Sequence, residues 1–180
     1  MNLYDFALPP ELIATKPSPD RSASRLMVLE NSASLVKHDY FKNLGHYLKS
    51  GDVLVVNNTK VRRARIYAFK KTGGRVELLL VKPLPNGHWE ALIVGKGPFL
   101  PKTELSLDQS DEMAKIVIEG KASTDANVYE ISSVNNLGSY AEDVGELPLP
   151  PYFNRRAEPD DYSRYQTIFA KELGAVAAPT

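Results

Sequence analysis

Lys49-Ser50-Gly51-Asp52-Val53-Leu54-Val55-Val56-Asn57-Asn58-Thr59-Lys60-Val61-Arg62-Arg63-Ala64-Arg65 passes from an apolar run through a polar turn into a basic strand, and its reading decides the fold. Residues 53–56, entered through a Ser-Gly-Asp turn, have the pattern of a strand covered on both faces inside an α/β sheet. Asn57, Asn58 and Thr59 then stand at its carboxyl end, where ligands of open α/β sheets sit. Amides donate and accept, as does the Thr hydroxyl, so the trio suits a polar ligand such as a ribose. A turn stabilised by its own side chains accounts for the same residues.

Upstream, Asn2 to Ala14 reads as an extended arm with one helical turn at Pro10, docked by Phe6, Leu8, Leu12 and Ile13. A polar loop, 16–25, carries Arg21 and Arg25 with two serines and feeds the apolar run 26–29, a second buried-strand candidate. Those arginines suit a carboxylate or phosphate, and equally a surface ion pair. Residues 31–34 read as a turn, and Phe41, Leu44, Tyr47 and Leu48 have helical spacing.

Downstream of Arg63 the pattern changes to short alternating strands. Residues 64–70 and 76–82 flank Thr72-Gly73-Gly74-Arg75, read as a hairpin with a two-residue Gly-Gly turn. Further strands are expected at 88–94, 103–107, 114–119 and 127–132, separated by Pro/Asn/Gly turns, which implies a small antiparallel barrel. The helical period returns at Leu137, Tyr140, Ala141 and Val144, with Gly145 ending that helix. Residues 146–153 are proline-stiffened, and 160–170 read as a helix with acidic residues at its start. The fold class expected is α/β plus β: a mixed-sheet α/β domain, 1–62 and 148–180, interrupted by an inserted β-barrel domain, 63–147.

A chain of 180 residues with 43% hydrophobic and 24% charged content has the make-up of an ordinary globular protein. Formal net charge is zero, so a polyanion must be met by a local patch. Such a patch exists: Lys60, Arg62, Arg63, Arg65, Lys70, Lys71 and Arg75 are seven bases in sixteen residues without an acid. With Tyr67 and Phe69 on the same hairpin they offer phosphate contacts and base stacking; a Lys-guarded sheet edge is the plainer use of the same residues. The absence of cysteine excludes disulfides and thiolate sites and suits a reducing cytoplasm. His38, His46 and His88 lack metal-ligand spacing, and no run reaches membrane-spanning length.

Several segments together resemble the S-adenosylmethionine:tRNA ribosyltransferase-isomerase family of queuosine biosynthesis. They are Tyr4-Asp5-Phe6-x-Leu8-Pro9; Ser24-Arg25-Leu26-Met27-Val28-Leu29; Gly51 to Val61 with Ala64-Arg65; Gly74-Arg75-Val76-Glu77-Leu78-Leu79-Leu80; Gly145-Glu146-Leu147-Pro148-Leu149-Pro150-Pro151-Tyr152; and Arg164-Tyr165-Gln166-Thr167 through Gly174 to Thr180. The resemblance implies a cytoplasmic enzyme that transfers and isomerises the ribosyl group of S-adenosylmethionine onto 7-aminomethyl-7-deazaguanine at the tRNA wobble position. The products are epoxyqueuosine, adenine and methionine. It implies no metal or other cofactor, S-adenosylmethionine being a consumed donor. On this reading Arg25, Asn57 and Thr59 position the donor, Arg65 and its basic neighbours meet the tRNA, and Tyr165 and Gln166 are further binding candidates. Asp20 and Asp52 lie in the relevant loops, Asp52 better suited to a turn.

Two departures stand out. Asn57-Asn58-Thr59-Lys60 occupies the place of an Asn-Asp-Thr-Arg pattern, exchanging a carboxylate for an amide and a planar fork for a point charge. The family pattern also continues past Pro179-Thr180 into a His-bearing segment and a further α/β portion. The chain thus resembles an N-terminal portion, with a C-terminal half polypeptide as an expected partner. A non-catalytic RNA-binding module and an inactive remnant are the alternatives.

Overall fold

The computed structural model describes residues 5–30, 35–108, 111–124 and 127–177, which fall into two compact units, Met1–Val56 and Asn57–Thr180. The turn expected at 31–34 lies outside the described residues.

The first unit is built on one hairpin, β1 (Arg25–Glu30) and β2 (Leu35–Tyr40), paired antiparallel from Arg25↔Tyr40 to Glu30↔Leu35. The run 26–29 is therefore a strand, but not a buried one: Met27 and Leu29 are 61% and 66% exposed. A two-stranded ribbon has no interior, so apolar composition alone cannot bury it. Of the residues expected to dock the arm, Phe6, Leu8 and Leu12 are exposed around a single 3-10 turn, Pro10–Leu12, and Ile13 is half-buried. Residues after β2 form a 3-10 turn, Phe41–Tyr47, rather than an α-helix. Asp39 ties it down, accepting from Tyr40 N, Asn43 Nδ2 and the Tyr47 hydroxyl, each at 2.7 Å.

The largest correction concerns residues 53–56. They carry no regular structure, and Val53, Leu54, Val55 and Val56 are 86%, 62%, 87% and 46% exposed. A strand needs a neighbour for its amides and carbonyls, and the parallel pairing of this region begins further along. It is β3 (Thr59–Val61), in the second unit, that pairs with β10 (Glu172–Ala175) in a two-stranded parallel sheet.

The rest of the second unit is a closed antiparallel barrel of six strands: β4 (Arg65–Phe69), β5 (Arg75–Pro83), β6 (Trp89–Val94), β7 (Thr103–Asp108), β8 (Asp111–Lys121) and β9 (Val128–Ser133), in the order β4-β5-β6-β9-β8-β7. Closure is narrow, a single Phe69↔Ser106 partnership between β4 and β7. Alternation fills the inside: Ile66, Leu78, Leu80, Ile93, Leu105, Ile116, Ile118 and Ile131 are buried, while the residues between them face out. At about 25 cal/mol per Å² of apolar area removed from water, this interior is the main source of the unit's stability. The first hairpin turn is longer than a Gly-Gly pair. Phe69↔Arg75 is the last ladder position, Lys70 N donates to Gly74 O, and only Gly73 of the two glycines has positive φ, +81°.

Helix α1 (Leu137–Val144) starts where Asn136 Oδ1 accepts from Ser139 N and buries Leu137 and Ala141 against the barrel. Gly145 follows with an ordinary negative φ of −73°, so it is not a left-handed cap. Its requirement is space: a Cβ there would lie 2.4 Å from Ala141 O and 2.6 Å from Arg63 O. The helix expected over 160–170 shrinks to α2 (Asp161–Arg164). Asp161 is buried and serves Arg155 and the Glu158 amide, and the chain then turns toward β10. Among the described residues no helix is long and apolar enough to cross a membrane.

Candidate functional site

The turn 57–59 is stabilised by its own side chains. Asn57 Oδ1 accepts from Thr59 N at 2.8 Å and from the Thr59 hydroxyl at 2.6 Å, which fixes both side chains relative to one another. The segment leading into and through β10 laces this turn from the other side. The Thr167 hydroxyl donates to Asn57 O, and Lys171 N and Glu172 N both donate to Asn58 O. Gln166 grips β3 at its carboxyl end, its amide donating to Val61 O and accepting from Val61 N, each at 2.8 Å. Asn57, Thr59 and Gln166 thus belong to one small assembly, in which Gln166 holds backbone. Tyr165, half-buried, closes α2 with its amide on Asp161 O.

The other candidates are placed differently. Arg25 opens β1 in the first unit, exposed, opposite Tyr40 in the ladder. Asp20 caps a short 3-10 turn, accepting from Ser22 N and its hydroxyl at 2.8 Å, and Asp52 accepts from Lys49 N at 2.7 Å as a turn residue. Among the described residues no group of His, Asp and Glu is arranged to hold a metal ion.

Arg65 stands on the outer wall of the barrel, because the alternate residues Ala64, Ile66 and Ala68 fill the inside. Its guanidinium donates through Nη2 to Leu149 O at 2.9 Å, and Nε lies 2.9 Å from Glu77 Oε1 in an ion pair without hydrogen-bond alignment. Tyr67, next outward on β4, places its hydroxyl 3.3 Å from Glu146 Oε2. Burial first, then the charges of Glu146 and Glu77, push this phenol above its ordinary range and keep it neutral. The ring of Tyr67 lies 4.6 Å from the Arg75 guanidinium carbon and 5.8 Å from that of Arg156. Two further arginines of the basic run lie over aromatic rings, Arg62 over Trp89 at 5.1 Å and Arg63 over Tyr162 at 4.6 Å.

The sequence reading gives no role to Arg156, and Glu146 enters it only within the segment 145–152. The hairpin register could have placed Arg75, because Tyr67↔Glu77 makes Arg75 the diagonal neighbour of Tyr67 on the same face. Nothing local marks Arg156 as the third member.

Known proteins bear on this arrangement. The family model described as "Queuosine biosynthesis protein" matches residues 1–180. A protein of Syntrophotalea carbinolica named S-adenosylmethionine:tRNA ribosyltransferase-isomerase is 44% identical over 179 residues, covering 98% of this chain and 51% of that protein. One of Aquifex aeolicus with the same name is 45% identical over 183 residues, covering 98% and 52%. The crystal structure of S-adenosylmethionine tRNA ribosyltransferase from Thermotoga maritima is 28% identical, with 95% and 56% of the two chains covered and a TM-score of 0.38. The chain spans about half the length of the curated relatives it matches. On the match along its whole length, the chain belongs to the queuosine biosynthesis protein family.

Proposed function

We propose that this chain is the part of an S-adenosylmethionine:tRNA ribosyltransferase-isomerase that presents the donor-binding turn and the tRNA-facing barrel. The observation that carries the reading is identity of 44% and 45% across 98% of the chain to relatives of that name. The reaction moves the ribosyl group of S-adenosylmethionine onto 7-aminomethyl-7-deazaguanine in tRNA and isomerises it to epoxyqueuosine, releasing adenine and methionine. The sulfonium acidifies the adjacent C5′ position, an acid assists adenine departure, and the aminomethyl nitrogen attacks as the neutral amine. The tRNA base supplies the nucleophile, so the protein's task is to position and to move protons.

Asn57 and Thr59, preset by their mutual hydrogen bonds, hold the ribose or the methionine carboxylate of the donor. Gln166 and Tyr165 support that turn, and Arg65 with its basic neighbours meets the tRNA backbone. The organisation that goes with this reading is an α/β domain, 1–62 and 148–180, interrupted by a barrel domain, 63–147, acting in the cytoplasm and completed by a C-terminal half polypeptide. No cofactor beyond the consumed donor enters it.

The test is adenine release from S-adenosylmethionine in the presence of tRNA bearing the aminomethyl-deazaguanine base, with this chain alone and with a polypeptide supplying the remaining half of a relative. Release only with the complement is expected. No release in either mixture overturns the reading.

A further inference from the structure

Strand alternation turns Tyr67 outward, and the register of β4 with β5 sets Arg75 diagonally beside it. Arg156 reaches the same ring from the segment after the prolines. A guanidinium on an aromatic ring uses its flat face, while its N–H donors lie in its plane and point to its edges. Stacking therefore fixes the cation in place without consuming its donors or its charge. An arginine held by a carboxylate is in the opposite condition.

Arg65 is in that second condition, committed to Glu77 and the Leu149 carbonyl. Arg75 is exposed, and its side chain makes no hydrogen bond or ion pair among the described residues beside its place over the Tyr67 ring. Arg156 has a 64% exposed side chain, and its carboxylate contact is a long one, 3.8 Å to Glu146. Around Tyr67 three arginines face two carboxylates, and Lys70 and Lys71 lie at the turn of the same hairpin. Arg75 also occupies the Tyr67 ring, so base stacking there gives way to contact through phosphates.

We propose that Arg75 and Arg156, mounted on Tyr67, bind backbone phosphates of RNA and give the barrel's outer wall a sequence-independent affinity for tRNA. This rests on the tRNA reading above and moves the contact from Arg65 to two arginines that retain their donors.

The experiment measures binding of an unmodified tRNA transcript to this chain by fluorescence anisotropy between 50 and 200 mM salt, a range over which phosphate contacts are strongly weakened. Arg75→Ala and Arg156→Ala are each expected to reduce the slope of log K against log salt by about 0.7 to 0.9, the release expected per phosphate. They are expected to weaken an unrelated RNA hairpin equally. Tyr67→Leu should bind several-fold more weakly than wild type, and Tyr67→Phe, which keeps the ring, should bind more tightly than Tyr67→Leu. Arg75→Gln is the second variant should the alanine change disturb folding, monitored by thermal melting. Unchanged affinity and slope in the double variant, with wild type binding tRNA, overturns this placement and leaves the tRNA reading intact. Absence of tRNA binding by wild type overturns both. A loss confined to one RNA sequence, or competition by polyglutamate as effective as by RNA, overturns the phosphate assignment.

Discussion

Gln166 closes its side-chain amide on the backbone of Val61, giving one hydrogen bond and taking one, each 2.8 Å, across 105 residues of chain. The amide substitutes for a third strand at the carboxyl end of β3 and holds that strand in place. Gln166→Ala should cost about 2 kcal/mol, from two part-buried hydrogen bonds at about 1 kcal/mol each. Urea denaturation measures the cost, and hydrogen exchange at the Val61 amide should accelerate more than exchange at Ile66. Uniform acceleration would show that Gln166 is no local clamp.

A second prediction concerns Asp161, which is only 6% exposed and takes Arg155 in two contacts, Nη1 to Oδ2 at 2.5 Å and Nη2 to Oδ1 at 2.9 Å. The carboxylate holds the Arg155 guanidinium even more firmly protonated than usual. Asp161→Ala removes the carboxylate from beside a largely buried cation and also strips the Glu158 amide of its acceptor. The expected cost is about 3 kcal/mol. Double replacement with apolar residues should recover much of it, and a loss as large as in the single variant would contradict this account.

The barrel was legible because its signal is local: alternation and turn residues are written within each strand, and Ile66, Leu78 and Ile116 point inward as their neighbours require. The apolar run at 53–56 misled because burial on both faces depends on partners that no local pattern encodes. Phe6, Met27 and Leu29 misled for the same reason. At the site, the turn chemistry of Asn57 and Thr59 could be read from their types and spacing. The grip of Gln166 on Val61 and the approach of Arg156 to Tyr67 join residues some ninety or more positions apart, and only the fold brings them together.

Acidification should show itself at Asp39. Hydrogen bonds from the Tyr47 hydroxyl, from Asn43 and from Tyr40 N lower its carboxyl from 3.8 to about 2. Because the folded value lies below the unfolded one, the stabilisation is complete above 3.8 and disappears as pH falls through that value toward 2. Side-chain carboxyl titration by NMR should therefore find Asp39 midway near 2, and Tyr47→Phe should raise the midpoint. A wild-type midpoint at 3.8 would mean these hydrogen bonds do not persist in solution.

The exposure of Val53 and Val55 makes a further prediction. Replacing both with Ser removes little buried surface, so stability should change by less than about 0.5 kcal/mol. Fluorescence of a hydrophobic dye should fall in the variant, because the two most exposed apolar side chains of this stretch are gone. A fall in urea midpoint comparable to that of a core variant such as Leu78→Ala would show that these valines are packed.

Arg65 and Glu146 exchange a reciprocal pair of backbone hydrogen bonds, Arg65 N to Glu146 O at 3.1 Å and Glu146 N to Arg65 O at 2.8 Å. Their Cα atoms are therefore about 5.5 Å apart, the spacing of a hydrogen-bonded antiparallel pair. The chain leaves for the six strands and returns from them through the same doorway. The two ends of the segment between them thus lie one ladder spacing apart, so a linker of a few residues is long enough to join them.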